Sequence, residues 1–555
     1  MTEQQTRPSL LLVILLTLAW VLPGLTGHDP WKQDETYIFG IVLHMWQSGD
    51  WIVPSNAGQP FMEKPPLYYW VATVFVSLTH RWLSWHDGAR LTSGFFTLIT
   101  LLFTALTGRL AWGAGNGRLA VLTLIACFGL LYESHIMITD VPMLTGYAIA
   151  LYGTLLARRQ PGWGGLWIGT GTGIGFLAKG LLIPGTLGVT LLLLPTLFRT
   201  WRNRHLAIAL AVALMSVLPW LLIWPTLLWF RSHELFYQWF WLNNIGRFLG
   251  FSVAELGAQG SAMFWPRTLP WFAWPAWLLA GMTLWQQRRQ FLHSAPLQLG
   301  LLSFVVYLAV MQASASARTA YGLPMLCGLT LLATPANMMT PRLQTMIDYF
   351  SRLVFIPAIL LSWYVWLVLY RTGHSPEWQW LTRGLAPVFQ PRVRPFELGM
   401  AILATVLLPV CWLKCRQQPG RGVISTAAHI TVLWLVLNAL WLPWIDNAKR
   451  YREVFEQAAS QLPAGYTCVS GLQMGESTRP MFMYYLEIQN VRFSLGNDPR
   501  CTVIMIDQWG MQAPQVPDAW LLLWHGTRPQ DDEEQFWLYE KNTPAPTRPS
   551  ASGKH

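Results

Sequence analysis

Apolar stretches recur along the whole chain, at 9–27, 90–108, 118–134, 141–157, 164–178, 181–198, 206–228, 268–286, 296–313, 319–334, 353–371, 397–415 and 427–445. Most are close to the ~20 residues that a helix needs to cross a bilayer, and the shorter ones suit tilted or broken helices. In hydrocarbon every backbone N–H and C=O must be bonded internally, so such segments fold as helices. With 53% hydrophobic residues, 33 Trp and a mean hydropathy of +0.33, the chain reads as an all-α polytopic membrane protein of about thirteen spans. A formal charge of +11 would suggest nucleic acid in a soluble protein. Here the Lys and Arg lie in short loops between apolar stretches and no compact basic domain appears, so no nucleic-acid partner is expected. Membrane lipids, with their anionic headgroups, are the polyanions nearby.

The first stretch has only Arg7 close to it and no A-x-A site, so it reads as an uncleaved helix rather than a signal peptide. A fourteenth segment, LYYWVATVFVSLT at 67–79, is short, starts with aromatics and follows Pro65-Pro66. Parity decides its place. If it does not span, the loops at 109–118, 158–159, 199–204, 288–289, 342–352 and 414–421 all fall on the cytoplasmic side, a strong positive-inside pattern. The segment is therefore expected to lie in the outer interface. Residues 1–445 then form the transmembrane domain, with outer loops at 28–89 and 229–266. The loop at 371–396 carries four arginines yet falls outside, and charge alone does not explain it.

From 446 the chain changes character. A helix, YREVFEQAASQL, precedes strand-like runs near YTCVSG, VRFSL, CTVIMID and AWLLLWH, which predicts a small α/β domain over 446–540. Residues 541–555 are too polar and Pro-rich to pack. Cys468 and Cys501 lie in this domain, where an oxidising compartment would let them pair; Cys127, Cys327, Cys411 and Cys415 sit in or beside apolar stretches as small core residues.

Only 12% of residues are charged, so charges close to the spans carry meaning. Asp34-Glu35 opens a helical run, DETYIFGIVLHMW, that stops at Ser48-Gly49. Asp34 either caps that helix or acts as general base on an acceptor hydroxyl. Glu63-Lys64 precedes Pro65-Pro66; Lys64 either snorkels to the headgroups or holds a phosphate. Asp140, in MITDVPML, is an N-cap or a cavity carboxylate. Lys179 interrupts the apolar run GFLAKGLLIPG and requires a bound anion or a carboxylate partner. Arg247, in WLNNIGRFLG, is a second phosphate candidate or a rim charge. His233, Glu234 and Glu255 have no metal-ligand spacing and read as solvated. No Walker loop, G-x-G-x-x-G turn, zinc spacing or G-x-S-x-G elbow is present, which argues against a nucleotide-driven pump and against a nucleotide-sugar enzyme with a Rossmann half. A donor reaching the outer face would then arrive on a lipid.

The acidic pair after the first span, SGDWIVP, EKPPLYYW, D-x-P-M and the F-L-x-K-G turn together resemble the GT-C membrane glycosyltransferases, of the lipid A aminoarabinose transferase and protein O-mannosyltransferase type. That resemblance implies a GT-C fold and transfer of a sugar from polyprenyl (undecaprenyl) phosphate to an acceptor at the outer face of the bacterial inner membrane. It implies catalytic roles for Asp34, Glu35 and Asp140, and donor-phosphate binding by Lys64, Lys179 and Arg247. Glu63, Tyr37, Tyr68 and Asn244 complete the site. Two positions depart from the pattern. Tyr37 stands where the aminoarabinose transferases usually carry arginine, and Asn243-Asn244 stand where they carry an acidic or imidazole group before R-F.

The expected chemistry is an inverting displacement, with lipid A, another envelope glycan or a protein as acceptor. The alternative is a lipid-linked sugar flippase, which predicts polar residues spread through the middle of many helices; here they gather near one face. No cofactor is required by the residues. A divalent cation shared by Asp34, Glu35, Glu63 and Asp140 is a further option.

Overall fold

The computed structural model describes residues 8–252, 261–314, 317–372, 393–464, 466, 468–486, 492–495, 500–510, 512–529 and 531–542. The chain is a mostly helical, multi-pass membrane protein. Every apolar stretch named above carries helix, and the expected interfacial segment is a helix over Leu67–Thr79. Six helices among the described residues combine spanning length with apolar composition: Trp85–Trp112, Arg204–Arg231, Ala295–Ala313, Pro341–Thr372, Pro395–Cys415 and Arg421–Lys449. The others are shorter or broken. The stretch 118–134 divides into Asn116–Ile125 and Phe128–Glu133, and 268–286 divides into Phe264–Phe272 and Ala276–Gln286. Pro275 stands at the second break, where its missing N–H and its ring oppose a continuous helix. The stretch 319–334 opens with a tight turn, Thr319–Gly322, before the helix Met325–Ala333.

The chain forms two compact units. Among the described residues, the helical unit runs to His28 and continues through 41–372 and 393–443. Among the described residues, the second unit joins Asp29–Gly40 to the chain from Trp444 onward. Residues 29–40, within the stretch 28–89, thus group with the C-terminal unit.

Glycine organises the middle of the helical unit. Helix Pro161–Lys179 reads PGWGGLWIGTGTGIGFLAK, and its glycines point two ways. Gly171 and Gly175 meet Gly146 of helix Asp140–Leu156, backbone against backbone. Gly165, Gly169 and Gly173 take Ala209, Ala213, Ser216 and Trp220 of helix Arg204–Arg231. In lipid there is no hydrophobic drive between helices, so such close approach of small residues supplies the packing. A Cβ at these positions would collide with the neighbouring helix.

The second unit holds a five-stranded sheet: β3 (Cys468–Leu472), β4 (Arg492–Leu495), β5 (Val503–Trp509), β6 (Trp520–Arg528) and β7 (Asp531–Lys541), in the order β4-β3-β5-β7-β6. β3 runs parallel to β4 and β5, and β7 runs antiparallel to β5 and β6. The continuous apolar run of β5 is what a strand buried on both faces needs. Helices Arg452–Ser460 and Thr478–Tyr485 pack with it, and Cys468 and Cys501 are joined as a disulfide with Cα atoms 4.7 Å apart. Of the free cysteines, Cys127, Cys327 and Cys415 are buried.

Asp507, on β5, is 3% exposed and accepts from Thr478 Oγ1 at 2.8 Å. Burial, then the charge of Glu534, push its carboxyl up to about 6 against the weaker pull of Thr478, Lys32 and the Gly475 N–H. Because the folded value lies above the ordinary one near 4, its contribution to stability is full below that value and is lost as pH rises through about 6. The gap corresponds to about 3 kcal/mol. Asp507→Asn should therefore raise hydrogen-exchange protection of β5 by up to that amount at pH 7 and by little at pH 4. Equal gains at both pH values would contradict the assignment.

Candidate functional site

Asp140 opens its helix and Lys179 ends the antiparallel one, so the glycine seam between them sets both side chains at one end of the pair. Lys179 Nζ donates to Asp140 Oδ1, and the two side chains are only 12% and 6% exposed. The ammonium also lies 3.6 Å from the ring centroid of Tyr321, in the turn before Met325–Ala333. A buried cation thus has both a carboxylate and an aromatic face.

The chain reverses directly after Lys179. Gly180 has φ +74°, in the left-handed region, and a side chain there would run into Asn244 Oδ1. Asn244 accepts from the Leu181 N–H at 3.3 Å and donates to the Trp239 carbonyl at 2.9 Å. The K-G pair therefore has a local cause: lysine for the carboxylate, glycine for the reversal against Asn244.

Asn244 lies in a nine-residue π-helix, Gln238–Gly246, where Asn243 Nδ2 likewise donates to the Gln238 carbonyl at 3.1 Å. Such wide turns are rare and are frequently found at functional sites. Arg247 follows immediately and donates to Glu63 Oε2 at 2.9 Å, both side chains under 20% exposed. Glu63 and the half-buried Lys64 precede buried Pro65-Pro66, which fix the backbone before helix Leu67–Thr79. Tyr68 of that helix is fully buried, with its hydroxyl 2.8 Å from Ser93 Oγ. Glu63 and Lys64 are neighbours in the chain, so the Arg247–Glu63 bond brings Arg247 close to Lys64, and Arg318 stands just before the turn that holds Tyr321.

Asp34, Glu35 and Tyr37 belong to the second unit. Asp34 is the first residue of helix Asp34–Ser48, half-buried, and accepts from the Tyr37 hydroxyl at 2.7 Å. Glu35 is 2% exposed and turns back to the Trp31 N–H at 3.2 Å. That bond ties Glu35 to the chain just ahead of the helix, and Asp34 is the more open carboxylate.

Sequence reasoning passed over Tyr321, Arg318 and Glu133. Glu133, 8% exposed at the end of an apolar helix, accepts from Thr319 Oγ1 at 3.1 Å. A glutamate inside LLYESH was the available signal. Glu63 and Asp140 each have a protein cation as partner, and among the described residues no three His, Cys, Asp or Glu side chains gather to hold a metal ion.

Residues 63–224 match the family described as dolichyl-phosphate-mannose-protein mannosyltransferase. The chain is 30% identical over 347 residues to an undecaprenyl phosphate-alpha-4-amino-4-deoxy-L-arabinose arabinosyl transferase of Serratia proteamaculans, covering 58% of each. It is 28% identical over 395 residues to a protein of the same description from Pseudomonas fluorescens, covering 66% of this chain and 63% of that one. The chain thus spans less than two thirds of these relatives' own length. Among solved structures, ArnT from Cupriavidus metallidurans bound to undecaprenyl phosphate superposes with a TM-score of 0.68 at 18% identity, covering 95% of this chain and 97% of that one. The fold is the ArnT fold. The resemblance carried by EKPPLYYW, D-x-P-M and the K-G turn holds, and the ArnT-like architecture extends over nearly the whole chain.

Proposed function

We propose that this chain is an inner-membrane glycosyltransferase that moves a sugar from a polyprenyl (undecaprenyl) phosphate to an envelope acceptor such as lipid A on the periplasmic face. The observation that carries the reading is the set of half-buried cations at helix ends, Lys64 and Arg247 brought together by the Arg247–Glu63 bond, and Lys179 between Asp140 and the Tyr321 ring. Donor displacement leaves a lipid phosphate on which charge accumulates, and fixed cations in a poorly hydrated site stabilise it. The relatives are named for an undecaprenyl-phosphate sugar, which supports the same donor class here.

In this reading Asp34 takes the proton of the acceptor group as it attacks the anomeric carbon, and Lys64 and Arg247 receive the departing phosphate. One in-line displacement inverts the carbon and needs no covalent intermediate. A donor phosphate draws Arg247 from Glu63, while Asp140 keeps Lys179 in place. Thirteen spans, with Leu67–Thr79 lying in the outer interface, put these groups at the periplasmic side. A divalent cation is the competing source of positive charge; loss of transfer in excess chelator would support it, and full activity there would remove it.

The test is transfer by the full chain in lipid vesicles, offered a panel of undecaprenyl-phosphate sugars, the aminoarabinose form included, with extracted envelope lipids as acceptors. One donor should be consumed with label appearing in the acceptor, and Arg247→Ala should slow this about 10²-fold, as loss of a charge-stabilising donor does elsewhere. Labelled lipid crossing the bilayer with no donor consumed would replace this reading by a flippase.

A further inference from the structure

Within the second unit, Asp29–Gly40 is fastened to the C-terminal domain by an unusual density of buried polar contacts. Arg452 grips Asp29 with two bonds, Nε to Oδ2 at 2.9 Å and Nη2 to Oδ1 at 2.6 Å. Asp446 Oδ1 accepts from the Asp29 N–H at 2.9 Å and from Trp31 Nε1 at 3.0 Å. Ser477 Oγ donates to the Gln33 carbonyl at 3.3 Å, and Phe39 meets Tyr484 edge-on at 4.9 Å. Lys32 Nζ donates to Glu534 Oε1 at 2.8 Å and rests 4.3 Å over the Trp509 ring.

The Lys32 contact goes beyond what a helix start needs. Glu534, 1% exposed on β7, also accepts from Arg528 at 2.9 Å and from Tyr451. Arg528 is shared with Asp531, so two carboxylates face one guanidinium until Lys32 arrives. Docking of the 29–40 segment brings a second cation, Lys32, to Glu534. Lys32 stands two residues before Asp34, and the Arg452 grip lies five before it. We infer that the C-terminal domain is a positioning frame for the Asp34 carboxylate, with Lys32 and Arg452 as positioning residues. Displacement chemistry tolerates errors of only about half an ångström in such a group, and a shift near 1 Å costs about 10²-fold.

This inference rests on Asp34 acting as the base, so both are tested together in vesicles carrying the full chain, with the undecaprenyl-phosphate donor that the parent consumes. Lys32→Met keeps the stem over Trp509 and removes the charge. It should lower kcat per folded molecule about 10–100-fold with KM for the donor unchanged, and Lys32→Arg should restore most of the loss. A merely structural contact would lower the yield of folded protein and leave kcat alone. Trp509 is 59% exposed, so Trp509→Ala should fold and lower kcat about 2–5-fold through the lost cation–π contact. Parental kcat in folded Lys32→Met and in Trp509→Ala, with Asp34→Asn inactive, overturns the frame and spares the base. A parental rate in Asp34→Asn overturns both.

Discussion

Asp34→Asn should fold as the parent does and transfer sugar about 10²–10⁴-fold more slowly, the range a positioned general base supplies. Asparagine has the same shape, and its amide oxygen still accepts from the Tyr37 hydroxyl that lies 2.7 Å from Asp34 Oδ1. The loss at the helix start is confined to a charge near its N-terminus, about 0.3–1 kcal/mol. The anchors on Asp29, Trp31 and Lys32 are untouched. Stability and chemistry therefore separate at this position. The measurement is kcat in vesicles beside thermal unfolding in the same lipid. A drop in kcat with unchanged donor KM assigns the proton transfer to Asp34. An unchanged rate reduces Asp34 to a first-turn residue, and the phosphate cluster would then act with another base, Glu133 being one buried carboxylate at a helix end.

Much of this arrangement could be read from the residues because the signals are local. Pro65-Pro66 before an apolar, aromatic run marks the start of Leu67–Thr79, and Ser48-Gly49 marks the end of Asp34–Ser48. Lys179 in an apolar run demanded a carboxylate or anion, and Asp140 is that carboxylate. What stayed hidden depends on distant partners. β7 begins DDEEQ, which no strand propensity favours; within the sheet its Glu534 is met by Arg528 and by Lys32, which the local sequence does not show. The grouping of Asp29–Gly40 with a domain more than 400 residues later rests on Arg452 and Asp446, and no window of sequence contains both ends. The π-helix before Arg247 is written in asparagines that bond five residues back, a pattern that also reads as an ordinary polar turn. Tyr321 falls within the apolar stretch 319–334, yet it sits in the turn before the helix and receives Lys179 on its ring.

Lys179→Met should be among the most damaging single changes in the helical unit, costing about 3–5 kcal/mol, because it strands Asp140 as an uncompensated charge in a residue only 4% exposed. Asp140→Asn should cost less, since the Lys179 ammonium keeps the Tyr321 face and an amide oxygen to bond. The double variant Asp140→Asn/Lys179→Met removes both charges and should recover most of the stability lost in Lys179→Met, as neutral replacements of buried pairs commonly do. Thermal unfolding of the three variants in one lipid closes this cycle, and a double variant as unstable as Lys179→Met would show that the ion pair is not the cause. Transfer should follow a different order. The two variants that lack the ammonium should both lose about 10² in rate if Lys179 contributes to phosphate stabilisation, so a double variant that is stable yet slow places Lys179 in the chemistry. A double variant that is stable and as fast as the parent confines Lys179 to holding the K-G turn against Asn244, and leaves the departing phosphate to Lys64 and Arg247.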